Sequence, residues 1–65
     1  MTTITYAITI GPASSKLFLS KLDTDIDFTE NELEALRFDS STAAEGALYA
    51  VEQMTMEPAF ISVLP

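Results

Sequence analysis

From Thr3 to Ile10 the chain alternates without a break, with Ile4, Tyr6, Ile8 and Ile10 on one side and Thr3, Thr5, Ala7 and Thr9 on the other. A period of two is that of an extended chain whose successive side chains point to opposite faces, so this run predicts a half-buried strand. Gly11-Pro12-Ala13-Ser14-Ser15 then combines strong backbone breakers with small polar residues, and a second β-prone run, Lys16 to Leu22, follows at once. Together they predict a hairpin with a loop of about five residues.

The next twelve residues, DTDIDFTENELE from 23 to 34, have a different grammar. Their later half carries helix-entry chemistry. Thr29-Glu30-Asn31-Glu32 fits a capping box, and Phe28 and Leu33 have the spacing of a hydrophobic staple, predicting a short helix from about 30 to 35. Arg37-Phe38 returns to an extended or turn conformation before Asp39-Ser40-Ser41-Thr42, a cluster of N-cap residues in which Thr42 and Glu45 form a second possible capping box.

Over residues 43 to 55, Ala44, Ala47, Leu48, Val51 and Met54 recur at intervals of three and four, leaving Glu45, Tyr49, Glu52 and Gln53 for solvent. That is the stripe of an amphipathic helix, with alanines small enough to let it lie close to a sheet. Pro58 ends the pattern, and Ala59 to Leu64 is a third strand candidate. The elements predict an α+β fold in one compact domain, residues 1–65. Its mainly antiparallel sheet has three strands, or four if Ala35 to Phe38 joins, with the long helix on one face and one short helix besides.

Size changes the picture by making this fold economical. A chain of 65 residues without cysteine or histidine has neither a disulfide nor a zinc site to staple it, and its stability is expected to be a few kcal/mol. Apolar residues at 48% exceed what a disordered acidic tail carries, yet the longest apolar run, Ala47 to Val51, is far too short to span a membrane. The first residues lack the basic and apolar regions of a secretory signal, and the absence of cysteine fits a reducing compartment, so the expected location is the cytoplasm.

Charge narrows the chemistry further. Ten acidic against three basic residues give a formal charge of −7, which repels phosphates and anionic lipid and points to a basic partner. Six carboxylates, Asp23, Asp25, Asp27, Glu30, Glu32 and Glu34, fall within residues 23–34 with no Lys or Arg among them. Such crowding works against the stability of a small fold. A solvated helix entrance accounts for Glu30 and Glu32, which sit where a helix N-terminus favours negative charge. An extended backbone would instead set Asp23, Asp25 and Asp27 in a row about 6.6 Å apart on one face.

The same stretch matches part of a calcium loop, with Asp23, Asp25, Asp27 and Glu34 at ligand positions 1, 3, 5 and 12. Position 6 should be glycine for the sharp turn and is Phe28, and Leu17 to Leu22 reads as a strand where an EF-hand has a helix. No metal or cofactor is therefore expected. The absence of His and Cys excludes the common nucleophile and zinc systems, and Gly11-Pro12 is no phosphate loop, so the chain is read as non-enzymatic. Tyr49 falls with Glu45 and Glu52 on the helical wheel, where an aromatic among carboxylates suits a contact anchor.

The block Glu34-Ala35-Leu36-Arg37-Phe38-Asp39-Ser40-Ser41, the alanine-rich helix 43 to 55 and the closing strand Phe60 to Leu64 resemble small orphan proteins of bacteriophages and mobile elements, the anti-CRISPR proteins in particular. The resemblance covers residues 34 to 64 and is one of layout, size and acidity. It implies a stoichiometric inhibitor in the bacterial cytoplasm that binds a CRISPR effector, such as a type I surveillance complex. Acting as a DNA mimic, it would offer carboxylates to the basic residues that hold target DNA. Asp23, Asp25, Asp27, Glu30, Glu32 and Glu34 are then the first candidates for the mimic face, with Asp39, Glu45 and Glu52 as extensions and Tyr49 as anchor, on a chain acting as a monomer without binding nucleic acid itself. The alternative is a general protein-interaction module, antitoxin-like or an assembly subunit, whose acidic face is merely solvated.

Overall fold

In a computed structural model, which describes residues 4–64, the alternating N-terminal run is strand β1, Thr5–Ile10. Gly11 turns the chain out of β1 in the left-handed region, at φ 86°, and a Cβ there would meet the Ser15 carbonyl oxygen at 3.0 Å. A short 3₁₀ turn, Ala13–Ser15, closes the loop through the Ser15 N–H, which donates to the Pro12 carbonyl at 2.9 Å. Strand β2, Leu17–Leu22, follows, and its antiparallel pairing with β1 is confined to the loop end, Thr9 with Phe18 and Ile10 with Leu17.

Two further strands complete an antiparallel sheet in the order β3-β2-β1-β4. The third, β3 at Ile26–Thr29, pairs with β2 across a register shift between Leu19 and Lys21. The fourth, β4 at Ala59–Leu64, pairs with β1 from Thr5 opposite Leu64 to Ile10 opposite Ala59. The strand not anticipated is β3. Its alternation, Ile26 and Phe28 turned to the core and Asp27 to solvent, lies inside the acidic stretch, which local charge marks as turn and helix entrance.

The fourth-strand question at Ala35 to Phe38 has a specific answer. Beyond their short paired ends β1 and β2 diverge, and this segment fills the gap. The Leu36 N–H donates to the Leu19 carbonyl at 2.7 Å, while Tyr6 and Phe38 exchange N–H to carbonyl bonds of 2.8 and 2.9 Å. An isolated bridge results, not a strand. It satisfies backbone groups that would otherwise be left unpaired between two splayed strands.

The long helix, α1 at Ser41–Thr55, starts beside Tyr6 and ends before Ala59, so it runs back along β1 over a length of about 22 Å. Ser40 is its N-cap, the side-chain oxygen accepting from the Ala43 N–H at 3.1 Å; the Thr42–Glu45 box is not used. Replacing Ser40 by Ala is expected to cost about 1 kcal/mol, read as a lower urea midpoint with an unchanged slope. At the other end Met56 adopts a left-handed conformation, φ 59°, and its N–H caps the Glu52 carbonyl at 2.9 Å before Pro58 stops the helix.

The core joins α1 to one face of the sheet. Ile8, Ile10 and Leu19 from β1 and β2 are buried with Ala44, Ala47 and Val51 from α1 and with Ala59, and Leu48 is half-buried against them. Met54, assigned to the same stripe, is instead exposed. Nor is β1 half-buried in its second half. Ala7 and Thr9, on the side away from α1, are also buried, because Phe18, Ala35 and Leu64 cluster with Ala7 there and the Thr9 hydroxyl turns to the Phe60 carbonyl of the next strand. Thr3 lies outside the described residues.

Candidate partner-binding surface

Between β2 and β3 the chain reverses over Asp23, Thr24 and Asp25, flanked by the pair Leu22 and Ile26 and closed by the Asp23 N–H donating to the Asp25 carbonyl at 3.0 Å. Aspartate suits such a bend because its short polar side chain tolerates the turn and stays in water. The extended row of three aspartates is therefore not formed. Asp23 and Asp25 sit on the bend, and Asp27 alone stands on the strand, opposite Lys21.

Past β3 the segment from 29 to 34 is held by its own side chains. The Thr29 hydroxyl accepts from the Asn31 N–H at 3.1 Å and donates to Glu34 Oε2 at 3.1 Å, and Asn31 Oδ1 accepts from the Leu33 N–H at 3.0 Å. Asn31, not Thr29, is thus the cap, and the short helix is a single 3₁₀ turn, Glu32–Glu34. Leu33 is 81% exposed, so it forms no staple with Phe28, whose ring packs against the core. A 3₁₀ turn rotates each residue further than an α-turn, which carries Leu33 away from the sheet.

All six carboxylates of residues 23–34 are exposed. Asp23 and Asp25 stand on the bend before β3, Asp27 on the strand itself, and Glu30, Glu32 and Glu34 on and just before the 3₁₀ turn that follows it. The extended strand itself, Ile26–Thr29, covers about 10 Å, the rise of about three base pairs of a duplex. Among the described residues no group of three carboxylates stands close enough to hold a metal ion.

The remaining candidates lie elsewhere. Asp39 is exposed just before the α1 cap, beside Thr5 and Arg37, at the same end of the sheet as Asp23 and Asp25. Glu45 and Tyr49 are exposed on α1, which lies over β1 and β4 rather than β3, and Tyr49 is 67% exposed. Glu52 departs from the solvent-facing position expected of it. It is half-buried, and Oε2 accepts from the Ala59 N–H at 3.2 Å, so its carboxylate ties the helix to the start of β4.

Two large apolar side chains of the last strand are exposed without being among the candidate residues. Phe60 and Val63 of β4 are 56% and 63% exposed, on opposite faces of the sheet. Their signal, an apolar strand with no polar alternation, is the signal of a strand buried on both faces. No helix of the described residues is long and apolar enough to cross a membrane. No protein-family model, curated protein or solved structure matches the chain.

Proposed function

We propose that the protein is a non-enzymatic, stoichiometric inhibitor of a DNA-binding effector, an anti-CRISPR that occupies the DNA path of a type I surveillance complex. The observation that carries this reading is the acidic edge, six exposed carboxylates in twelve residues presented by a bend, an edge strand and a side-chain-capped 3₁₀ turn. Carboxylates and phosphates make the same charge-assisted contacts with Arg and Lys. A chain at −7 would be drawn to a basic channel by its long-range field, and that steering speeds encounter more than it lengthens residence. Residence would depend on desolvated contacts such as Tyr49.

The test is capture of a purified or lysate type I complex by the tagged chain, with a salt titration and competition by target DNA. Capture is expected to fall steeply between low and physiological salt, because exposed charges are screened over about 8 Å at 0.15 M. Excess target DNA should displace the chain. Capture indifferent to both would remove the phosphate-mimic reading.

A second reading, a general interaction module, draws on the sheet face away from α1, where Phe60 stands exposed beside a shallow hollow lined by Gly11, Pro12 and Ser62. Binding there would be dominated by apolar burial and change little with salt.

A further inference from the structure

The two edges of the sheet differ in how well they are guarded against further strand pairing. On one side β3 has four residues, carries Asp27 and follows a register shift in its pairing with β2. Short length, charge and irregular pairing are the means by which natural sheets blunt an edge. On the other side β4, Ala-Phe-Ile-Ser-Val-Leu, has six residues, no charge and an unbroken register with β1. Its outer backbone edge meets no strand among the described residues. An uncharged, β-prone edge of this length is a template for another strand.

We propose that β4 docks a second copy of this chain, the two β4 strands pairing antiparallel about a two-fold axis normal to the sheet to make one continuous sheet of eight strands. Charge decides the occupant and the geometry. An isologous contact needs a patch that complements itself, and on a chain of net charge −7 an uncharged strand meets that need where an acidic face would not. The acidic residues 23–34 belong to the opposite edge, so in the dimer the two β3 strands are separated by seven inter-strand spacings, about 34 Å and several screening lengths.

Nearby carboxylates are separated by the same symmetry. Glu57 precedes β4 at its Ala59 end, and antiparallel pairing sends its copy to the other end of the strand, about 20 Å away. Glu45 lies towards the Tyr6 end of α1, so the reversal moves the two Glu45 side chains apart as well. Glu52 is engaged by the Ala59 N–H of its own chain.

Side-chain parity restricts the register. Residues directly opposite one another must share a face, and a two-fold axis normal to the sheet preserves faces. The greatest overlap then comes with Ile61 opposite its own copy or Ser62 opposite its own copy. With Ser62 central, Phe60 faces Leu64 and Val63 faces Ile61 of the second copy, whereas with Ile61 central they face Ser62 and Ala59. The monomer that the resemblance implies is, on this proposal, the dissociated form.

Sedimentation equilibrium of the whole chain tests it. The expected mass is twice 7.1 kDa, falling to the single-chain value in a double variant Phe60→Lys with Val63→Lys. Both side chains are more than half exposed, and an unchanged circular dichroism spectrum shows that the fold survives. Because the chain has no cysteine, Ile61→Cys and Ser62→Cys report the register directly. One of the two should form a disulfide-linked dimer on mild oxidation, while Glu45→Cys should not. A wild-type chain at single-chain mass up to about 1 mM, where even weak pairing is populated, overturns the proposal. So does a dimer that persists in the double-lysine variant.

Discussion

Replacing Ile8 by alanine is expected to remove most of the chain's stability at 25 °C. Ile8 is fully buried in β1, the central strand to which β2 and β4 both pair, and it packs in one cluster with Leu19, Ala44, Ala47 and Val51. Truncating a buried isoleucine to alanine costs about 2–5 kcal/mol, the lost transfer free energy plus that of the cavity left behind. A domain this small, with no disulfide, has about 3–5 kcal/mol to lose. Leu33→Ala makes the matching control. Leu33 is apolar and sits between two glutamates, yet its exposure predicts a change within about 0.5 kcal/mol. Urea unfolding followed by circular dichroism compares the two, and equal midpoints would show that the core is not centred on β1.

On the proposed function, reversing Asp23, Asp25 and Asp27 to lysine together is expected to abolish inhibition of a type I complex by a chain that remains folded. Each reversal adds two charges, taking the net from −7 to −1, and all three side chains are exposed. Asp27→Lys would face Lys21 across the strand pair, a like-charge contact that costs a few tenths of a kcal/mol, about the lower end of cross-strand effects. Loss of steering slows association by about 10- to 1000-fold, and the reversed charges repel the basic residues they are proposed to meet. The triple asparagine variant, closer in shape and uncharged, should fall between. Full inhibition by the folded lysine variant would rule out phosphate mimicry by this edge.

Much of the architecture was legible because it is local. The alternation through β1 marks an extended chain, and the period of three and four from Ala44 to Val51 follows from which side chains face the core. Gly11 and Pro58 end elements because of their own backbone limits. The misreadings share a cause. Within residues 23–34 short-range cues for a capping box and a staple compete with the alternation Ile26-Asp27-Phe28, and pairing with β2 decides for the strand. Glu52 looks solvent-facing on a helical wheel, yet the start of β4 comes within reach of its carboxylate.

The candidate surface divides the same way. That the carboxylates of 23–34 would be exposed follows from desolvation alone, since six charges without cations among them cannot be buried. Where each one stands does not follow. The bend at Asp23 to Asp25 breaks the row an extended chain would have made, and it exists because β3 turns back on β2.

By itself, then, the sequence determined the strand and helix identities of β1, β2, α1 and β4, the α+β class, the helix face that packs, and an acidic stretch that must remain in water. Each of these depends on neighbours within a few positions along the chain. Tertiary structure alone decided the strand order, the insertion of Leu36 to Phe38 between β1 and β2, the inward turn of Glu52, and the contrast between a charged, short β3 edge and an uncharged, open β4 edge. Those depend on hydrogen bonds between residues tens of positions apart, such as Thr5 beside Leu64. Local periodicity shows that a strand exists and which way its side chains face; the partner it pairs with is set by how the whole chain closes around one core.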